Sequence, residues 1–376
     1  MLNGVRLNLL VGPAIPLPAP RELIDALDSV QVEAGSGDTP GGFELSFGLS
    51  KRSPLNTLFL LTGGASIPLL RVVIAVAIGA QSEVLIDGVM THHEIRPGTT
   101  GGHSTLVVKG KDLSALMDYI ELDGIPFPAM PPAVRVLLVL AKYAAFGVIP
   151  LVIPSIVEDL PIPIERIPRQ QGTDYAYVKQ LARECGYVFY LDPGPTPGVS
   201  RAYWGPEIKA GTPQPALNAD FDAHSNVESL SFTFDKEGKE LPIVFIQNAA
   251  TKAPIPIPIP DITPLNPPLG LVPPLPPKLK FMTDTAKQSP LQAVMAGLAY
   301  ASQHSDVVGA NGTLDVVRYG RILKSRALVG VRGVGDAFNG LYYVKSVTHS
   351  IKRGEYKQNF QLARNGLLPT VARVPA

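Results

Sequence analysis

The sequence predicts a β-rich α+β protein: two related β-barrel units with helices, and an α/β domain between them. Three stretches carry that expectation. Leu341 to Gly366 reads LYYVKSVTHSIKRGEYKQNFQLARNG. It alternates apolar and polar residues up to a Lys352-Arg353-Gly354 turn, and Tyr356, Gln358, Phe360 and Leu362 carry the return run, so it is a β-hairpin. Gly88 to Gly110, GVMTHHEIRPGTTGGHSTLVVKG, repeats the pattern around an Arg-Pro-Gly turn. Between them, GTDYAYVKQLARECGYVFYLDPG begins at Gly172 and reads as helix, glycine stop and strand.

The first unit, residues 1–123, opens on an apolar run broken by Pro13 and Pro16, too interrupted for a signal peptide. Pro20 starts a short helix with Leu23, Ile24 and Leu27 on one face. Extended runs follow at Val30–Glu33, Phe43–Leu49, Leu69–Ile78, Glu83–Ile95 and Ser104–Lys109. Asp112 then caps a helix on which Leu113, Leu116, Met117 and Ile120 share a face.

The middle section, residues 124–220, combines a proline-rich arm with the α/β element. Ala133 to about Phe146 reads as a core helix, with Arg135 and Lys142 seven apart on one polar seam. With Pro150 they interrupt Val134–Ile153, which favours a core helix over a membrane span, and Ile67–Ala80 is too short to span and contains Arg71. Pro150, Pro154, Pro161, Pro163 and Pro168 keep the next stretch out of any inner strand. Thr173 or Asp174 caps the following helix, whose stripe is Val178, Leu181, Ala182 and Cys185; Gly186 ends it.

Residues 221–376 form the second unit, with a proline-rich insert at 251–277 that reads mostly as polyproline II. Ser289-Pro290-Leu291-Gln292 is a capping box for a helix carrying Val294, Met295 and Leu298. Strands are predicted at Leu314–Tyr319, Arg321–Val331 and Gly340–Thr348, leading into the final hairpin.

Composition narrows the function. The formal charge of +1 gives no global field for nucleic acid. Charged residues make up 17%, against about 25% in ordinary soluble domains, which predicts surface covered by partners. A single cysteine, Cys185, excludes an internal disulfide framework and suits assembly in a reducing compartment.

No catalytic, cofactor or metal constellation is apparent. His92 and His93 fall on opposite faces of a strand, and His103 adds no ligand spacing. Gly330-Val-Arg-Gly333-Val-Gly335 lacks the third nucleotide-loop glycine, since Phe338 stands there, and reads as a turn. Cys185 lies on an apolar stripe and reads as core; Glu121 and Asp123 are loop residues; Asn311-Gly312-Thr313 is a turn. Trp204, the only tryptophan, reads as core or as an interface anchor.

The stretches GTDYAYVKQLARECGYVFYLDPG, AYWGPEIKAGTPQPALN, AHSNVESLSFTFD and GLYYVKSVTHSIKRGEYKQNFQLARNG resemble the phage late control protein D family. Its members are baseplate hubs of contractile phage tails, type VI secretion spikes and related injection particles. The resemblance runs in order from about Val84 to Gly366. It implies a homotrimer in which each chain gives two tube-type barrel domains to a ring. Such a ring adapts the hexameric inner tube to a trimeric spike, within a baseplate assembled in the cytoplasm. Spike proteins of the type VI kind continue into a needle; the end of this sequence at Ala376 implies a separate spike polypeptide. Assembly-interface candidates are Trp204, Pro256, Pro258, Pro260, Tyr343 and Arg364. The proline-rich stretches are expected either as arms clasping a neighbour or as linkers. Expected partners are further copies, the inner tube, the spike and other baseplate proteins, with no nucleic acid and no membrane span. The alternative is a β-rich carbohydrate or cell-wall binding module, which one Trp and dispersed Tyr do not favour. A tail-tip peptidoglycan hydrolase would need a constellation not found, and a membrane-anchored assembly protein would partition into detergent.

Overall fold

The computed structural model describes residues 4–13, 15–35, 39–49, 69–79, 81–98, 104–155, 164, 167–220, 224–247, 253–261, 263–282, 290–371 and 374. His103, Pro161, Pro163 and Ser289, named above, lie outside them.

The first section holds β1 (Val5–Gly12), the short β2 (Leu17–Pro18), α1 (Arg21–Asp25), β3 (Leu27–Ala34), β4 (Gly42–Leu49), β5 (Arg71–Ile78), β6 (Gln81–Arg96) and β7 (Ser104–Asp112). The apolar run at the N-terminus is thus a strand, β1, which sequence reading left unassigned. On β4, Phe43, Leu45, Phe47 and Leu49 are buried while Glu44 and Ser46 lie on the other face, the period-2 signature of a sheet with one core side. Residues Arg71–Val76 of β5 are all buried, as suits a strand covered on both faces. The Asp112 carboxylate accepts the Ser114 N–H at 3.0 Å, but the turn it caps is a 3-10 segment, Leu113–Asp118. Ile120 therefore lies past its end, exposed, and not on the apolar face where a full helix would have put it.

In the middle section come α2 (Pro132–Ala141), β8 (Val148–Val152), α3 (Asp174–Cys185), β9 (Val188–Pro193) and β10 (Ser200–Gly205), with sheet order β8-β10-β9. α2 stops before Phe146, and its side at Val134, Leu137 and Leu138 is exposed. Its polar seam faces α3: Arg135 donates to the Tyr177 hydroxyl and Lys142 to Asp174. Thr173 is the cap of α3, accepting from Ala176 N–H at 3.1 Å, and Gly186 closes it at φ 71°. Pro150 falls on β8, an edge strand, where its missing donor breaks no inner ladder.

The last section contains β11 (Gln214–Asn218), β12 (Val227–Phe234), β13 (Glu240–Gln247), β14 (Pro254–Pro258), β15 (Gly270–Val272), β16 (Lys278–Met282), α4 (Pro290–Gln303), β17 (Val308–Asp315), α5 (Val316–Tyr319), β18 (Leu328–Arg332), β19 (Gly340–Lys352), β20 (Glu355–Arg364) and β21 (Leu367–Pro369). Three expectations are corrected. The strand predicted over Leu314–Tyr319 ends at Asp315, whose carboxylate accepts the N–H groups of Val317 and Arg318 and starts the α5 turn instead. Of Arg321–Val331 only the end is strand. In the insert, Pro254–Pro258 is a strand, where polyproline II was expected. The reason is the alternation: with proline at 254, 256 and 258, every missing N–H points the same way, while Ile255 and Ile257 face β13 with theirs. The strand is accordingly at the edge of β14-β13-β16.

Among the described residues the main sheet has thirteen strands. With β2 set aside it divides into two blocks of six that share one plan. The first runs β1-β5-β6-β7-β4-β3 and the second β11-β18-β19-β20-β17-β12. Numbered along the chain within each block, these orders are identical. All neighbours are antiparallel except β11 and β18, which are parallel. Two irregularities coincide as well, although the slips in β5–β6 and β11–β18 have no counterpart. The β6–β7 register slips between Met90 and His92, and the β19–β20 register slips between Val344 and Ser346. Likewise β3–β4 slips between Leu27 and Ser29, and β12–β17 between Val227 and Ser229. The two hairpins singled out in the sequence are β6–β7 and β19–β20, and they occupy equivalent places. The blocks are joined by β3 against β19.

Close packing marks the hairpin in the first block. A Cβ at Gly110 would stand 2.2 Å from the Phe43 ring and 2.3 Å from the Val89 carbonyl oxygen. Gly110→Ala is expected to destabilise the chain by about 1–3 kcal/mol, read as a lower urea midpoint at unchanged slope.

Candidate assembly surface

Through β3, β4, β12, β17 and β20 the main sheet has one core face and one polar face, whereas β5 is covered on both. On β12, Leu230, Phe232 and Phe234 pack on the core while Ser229, Ser231 and Thr233 are exposed. Small polar side chains continue this exposed face across β17 and β20, where Thr313 donates to Asn359 Oδ1 at 2.7 Å. Charge enters it as neighbouring pairs: Lys109 meets Glu44 at 2.9 Å and Arg96 meets Glu94 at 3.1 Å. Its recess, lined by Glu33, Ser231, Asn311, Thr348 and Gln361 among others, is wide and polar. Such a face keeps its water and offers an apolar ligand little.

Of the six interface candidates, three are inside the chain. Trp204 on β10 is fully buried, donates its indole N–H to the Val178 carbonyl at 3.3 Å, and stands edge-on to Tyr187. Tyr343 on β19 packs with Leu269 and Leu328, and burial raises its hydroxyl pKa. Arg364 on β20 is buried over the Tyr342 ring, and desolvation lowers its pKa. Its guanidinium donates to the carbonyls of Asn339 at 2.8 Å and Ala337 at 2.6 Å, fixing the turn that Gly333 and Gly335 enter at positive φ. A side chain with no surface offers a partner none, so these three organise this chain's own core. Pro256, Pro258 and Pro260 are exposed on the insert.

Sequence reading missed the buried charges that tie the sections together. Arg71 Nε and Nη2 donate to the two Asp87 carboxylate oxygens at 2.7 and 2.6 Å, with side chains 3% and 1% exposed. Arg71 also donates to the Gly198 carbonyl at 3.0 Å, joining the first section to the middle one. Lys209 likewise donates to Asp306 at 3.1 Å and to the Ser302 carbonyl. The signal available was a charge inside an otherwise apolar strand, RVVIAVAI. His92 and His93 lie just past the bulge, opposite Lys109 and Val108 on opposite faces of the sheet. Among the described residues, no group of three or more His, Cys, Asp or Glu is placed to hold a metal ion, and no helix is long and apolar enough to cross a membrane.

His349, where β19 meets β3, is buried and pushed down to about 4 by desolvation, with Nδ1 2.8 Å from the Tyr356 hydroxyl. Its folded pKa lies below its unfolded value, so the unfolded chain takes the proton first as pH falls. Stability is therefore expected to decline from about pH 6.5 and level off near pH 4, by on the order of 3 kcal/mol. Urea titrations of wild type and His349→Gln across that range should show the variant with the shallower decline.

No protein-family model and no curated protein matches the sequence. Solved structures do match. A tail protein from Neisseria meningitidis MC58 aligns over 97% of this chain and 98% of its own, at TM-score 0.63 and 12% identity. The 43 kDa tail protein of prophage MuSo2 from Shewanella oneidensis aligns over 96% and 98%, at TM-score 0.58 and 15% identity. The E. coli c3393 protein, a type VI secretion component with structural similarity to the T4 tail proteins gp27 and gp5, aligns over 93% and 75%, at TM-score 0.50 and 12% identity. The chain thus carries, over nearly its whole length, the β-rich fold of phage tail proteins and of a type VI secretion component.

Proposed function

We propose that this chain is the baseplate hub of a contractile injection system, a homotrimeric adaptor between a hexameric inner tube and a trimeric spike. The observation that carries the reading is the strand order repeated within one chain, with two of its register slips repeated at equivalent places. Three copies of a chain built from two like blocks present six similar units to a sixfold partner and three identical ones to a threefold partner. The polar recess lined by Glu33, Ser231, Asn311, Thr348 and Gln361 suits the wall of a channel. The work of such a protein is geometric, so it needs no cofactor and no bond chemistry, and other baseplate proteins would cover its low-charge surface. Assembly would take place in the cytoplasm before the particle is complete.

Native mass spectrometry of the purified full chain tests this. The expected result is three times the chain mass, and capture of both inner-tube rings and spike trimers by that species. A stable monomer that captures neither removes the proposal.

A further inference from the structure

The seam that joins the two blocks inside the chain is half of a pattern the chain leaves open elsewhere. β3 lies antiparallel on β19, with Val32 opposite His349 and Glu33 opposite Thr348. β19 accepts it on the edge it shares with β18: Gly340–Tyr343 pair β18, and Val347–Lys352 pair β3. β6 is built the same way. Its residues Gln81–Val89 pair β5 and Gly88–Arg96 pair β7. Among the described residues, nothing pairs the β5-side edge of β6 from His92 onward. β12, the counterpart of β3, pairs only β17 among the described residues. One chain therefore ends in two open edges that correspond to the two strands of its own closed seam.

We propose that β12 of one copy adds antiparallel to the open edge of β6 in the next, in the register of the internal β3–β19 seam. This rests on the trimeric hub reading and adds which strands meet and which residues face each other. The shared bulges set the register. Met90/His92 matches Val344/Ser346, which places Glu94 where Thr348 stands and Ile95 where His349 stands. Leu27/Ser29 matches Val227/Ser229, which places Phe232 where Val32 stands and Thr233 where Glu33 stands. Ile95 then faces Phe232 of the partner subunit on the core side. Glu94 faces Thr233 of the partner subunit on the polar side, and Arg96 faces Ser231 of the partner subunit, with no like charges opposed.

Burial gives independent support. At the closed seam Val32 and Val347 are fully buried and His349 is 4% exposed. At the open edges the equivalent residue Ile95 is 42% exposed and Phe232 is only partly buried. On the core side, Ile95 and Phe232 keep exposed apolar surface where their counterparts at the closed seam, His349 and Val32, are covered. An unpaired strand edge of this kind is a template for another strand, and the second copy supplies one of matching length.

Disulfide trapping in a Cys185→Ala background tests the register. Directly opposed residues lie within disulfide reach, while a one-residue slip sends the side chains to opposite faces. Glu94→Cys with Thr233→Cys is expected to convert most of the full-length chain into linked multimers under mild oxidation. Glu94→Cys with Phe232→Cys, and Glu94→Cys with Ser231→Cys, are expected to stay near background. Ile95→Asp, at a side chain already exposed in the single chain, should keep the circular dichroism spectrum and lose the trimer mass. A trimer in which the 94–233 pair stays reduced, or links no better than the two controls, overturns this seam and leaves the hub reading standing. A monomer at every concentration removes both.

Discussion

Asp87→Ala is expected to destabilise the fold by about 3–5 kcal/mol, among the largest losses any single substitution here should give. The carboxylate it removes takes both a Nε and a Nη2 hydrogen bond from Arg71, in a site that water does not reach. The Arg71 charge would stay buried without its carboxylate, and the desolvation cost of that charge would no longer be offset. The loss should reach beyond β5 and β6, because Arg71 also holds Gly198 in the loop before β10. Hydrogen exchange should therefore rise in the β9–β10 hairpin as well as in β5. Replacing both partners, Arg71→Met with Asp87→Leu, should recover much of the stability, since neither charge then has to be desolvated. A double variant as unstable as Asp87→Ala would mean that the packing around Gly198, and not the ion pair, carries the effect.

What could be read from the sequence was local. Thr173 and Gly186 bracket α3 because a cap oxygen and a left-handed glycine are chemical requirements of helix ends. The Phe43–Leu49 alternation gives β4, and the two hairpins announce themselves by period and turn. The echo between those hairpins also pointed to the repeat, which the strand order now extends to whole blocks. The meeting of β3 with β19 was out of reach, since nothing near Val32 names a partner more than three hundred residues away. The proline strand departs from expectation for a different reason: composition points to polyproline II, and the phase of the prolines decides for a strand. Proline at every second position leaves one ladder edge intact, whereas the same residues in a row would not. Asp315 likewise overrode strand propensity in Val316–Tyr319 by offering the backbone a helical cap.

Residues that look distinctive in a sequence are often distinctive because a core demands them, and Trp204 is the sharpest case. It was a candidate for contact with a partner, yet it is enclosed by the middle section's own elements, its indole N–H on Val178 and its ring against Tyr187. Trp204→Ala is expected to cost about 3–5 kcal/mol by transfer and cavity terms together. Trp204→Phe, which keeps most of the apolar volume and deletes the N–H, should cost less and separate the hydrogen bond from the packing. The decisive contrast is with assembly. A core tryptophan lowers the unfolding midpoint of the chain at every protein concentration, and its surviving folded fraction assembles with unchanged affinity. An anchor at a partner surface would do the reverse, leaving the single chain as stable as before and shifting the dissociation constant of the oligomer. Urea unfolding at two protein concentrations, paired with native mass spectrometry of Trp204→Phe, distinguishes these, and a loss confined to the oligomer would return Trp204 to the interface.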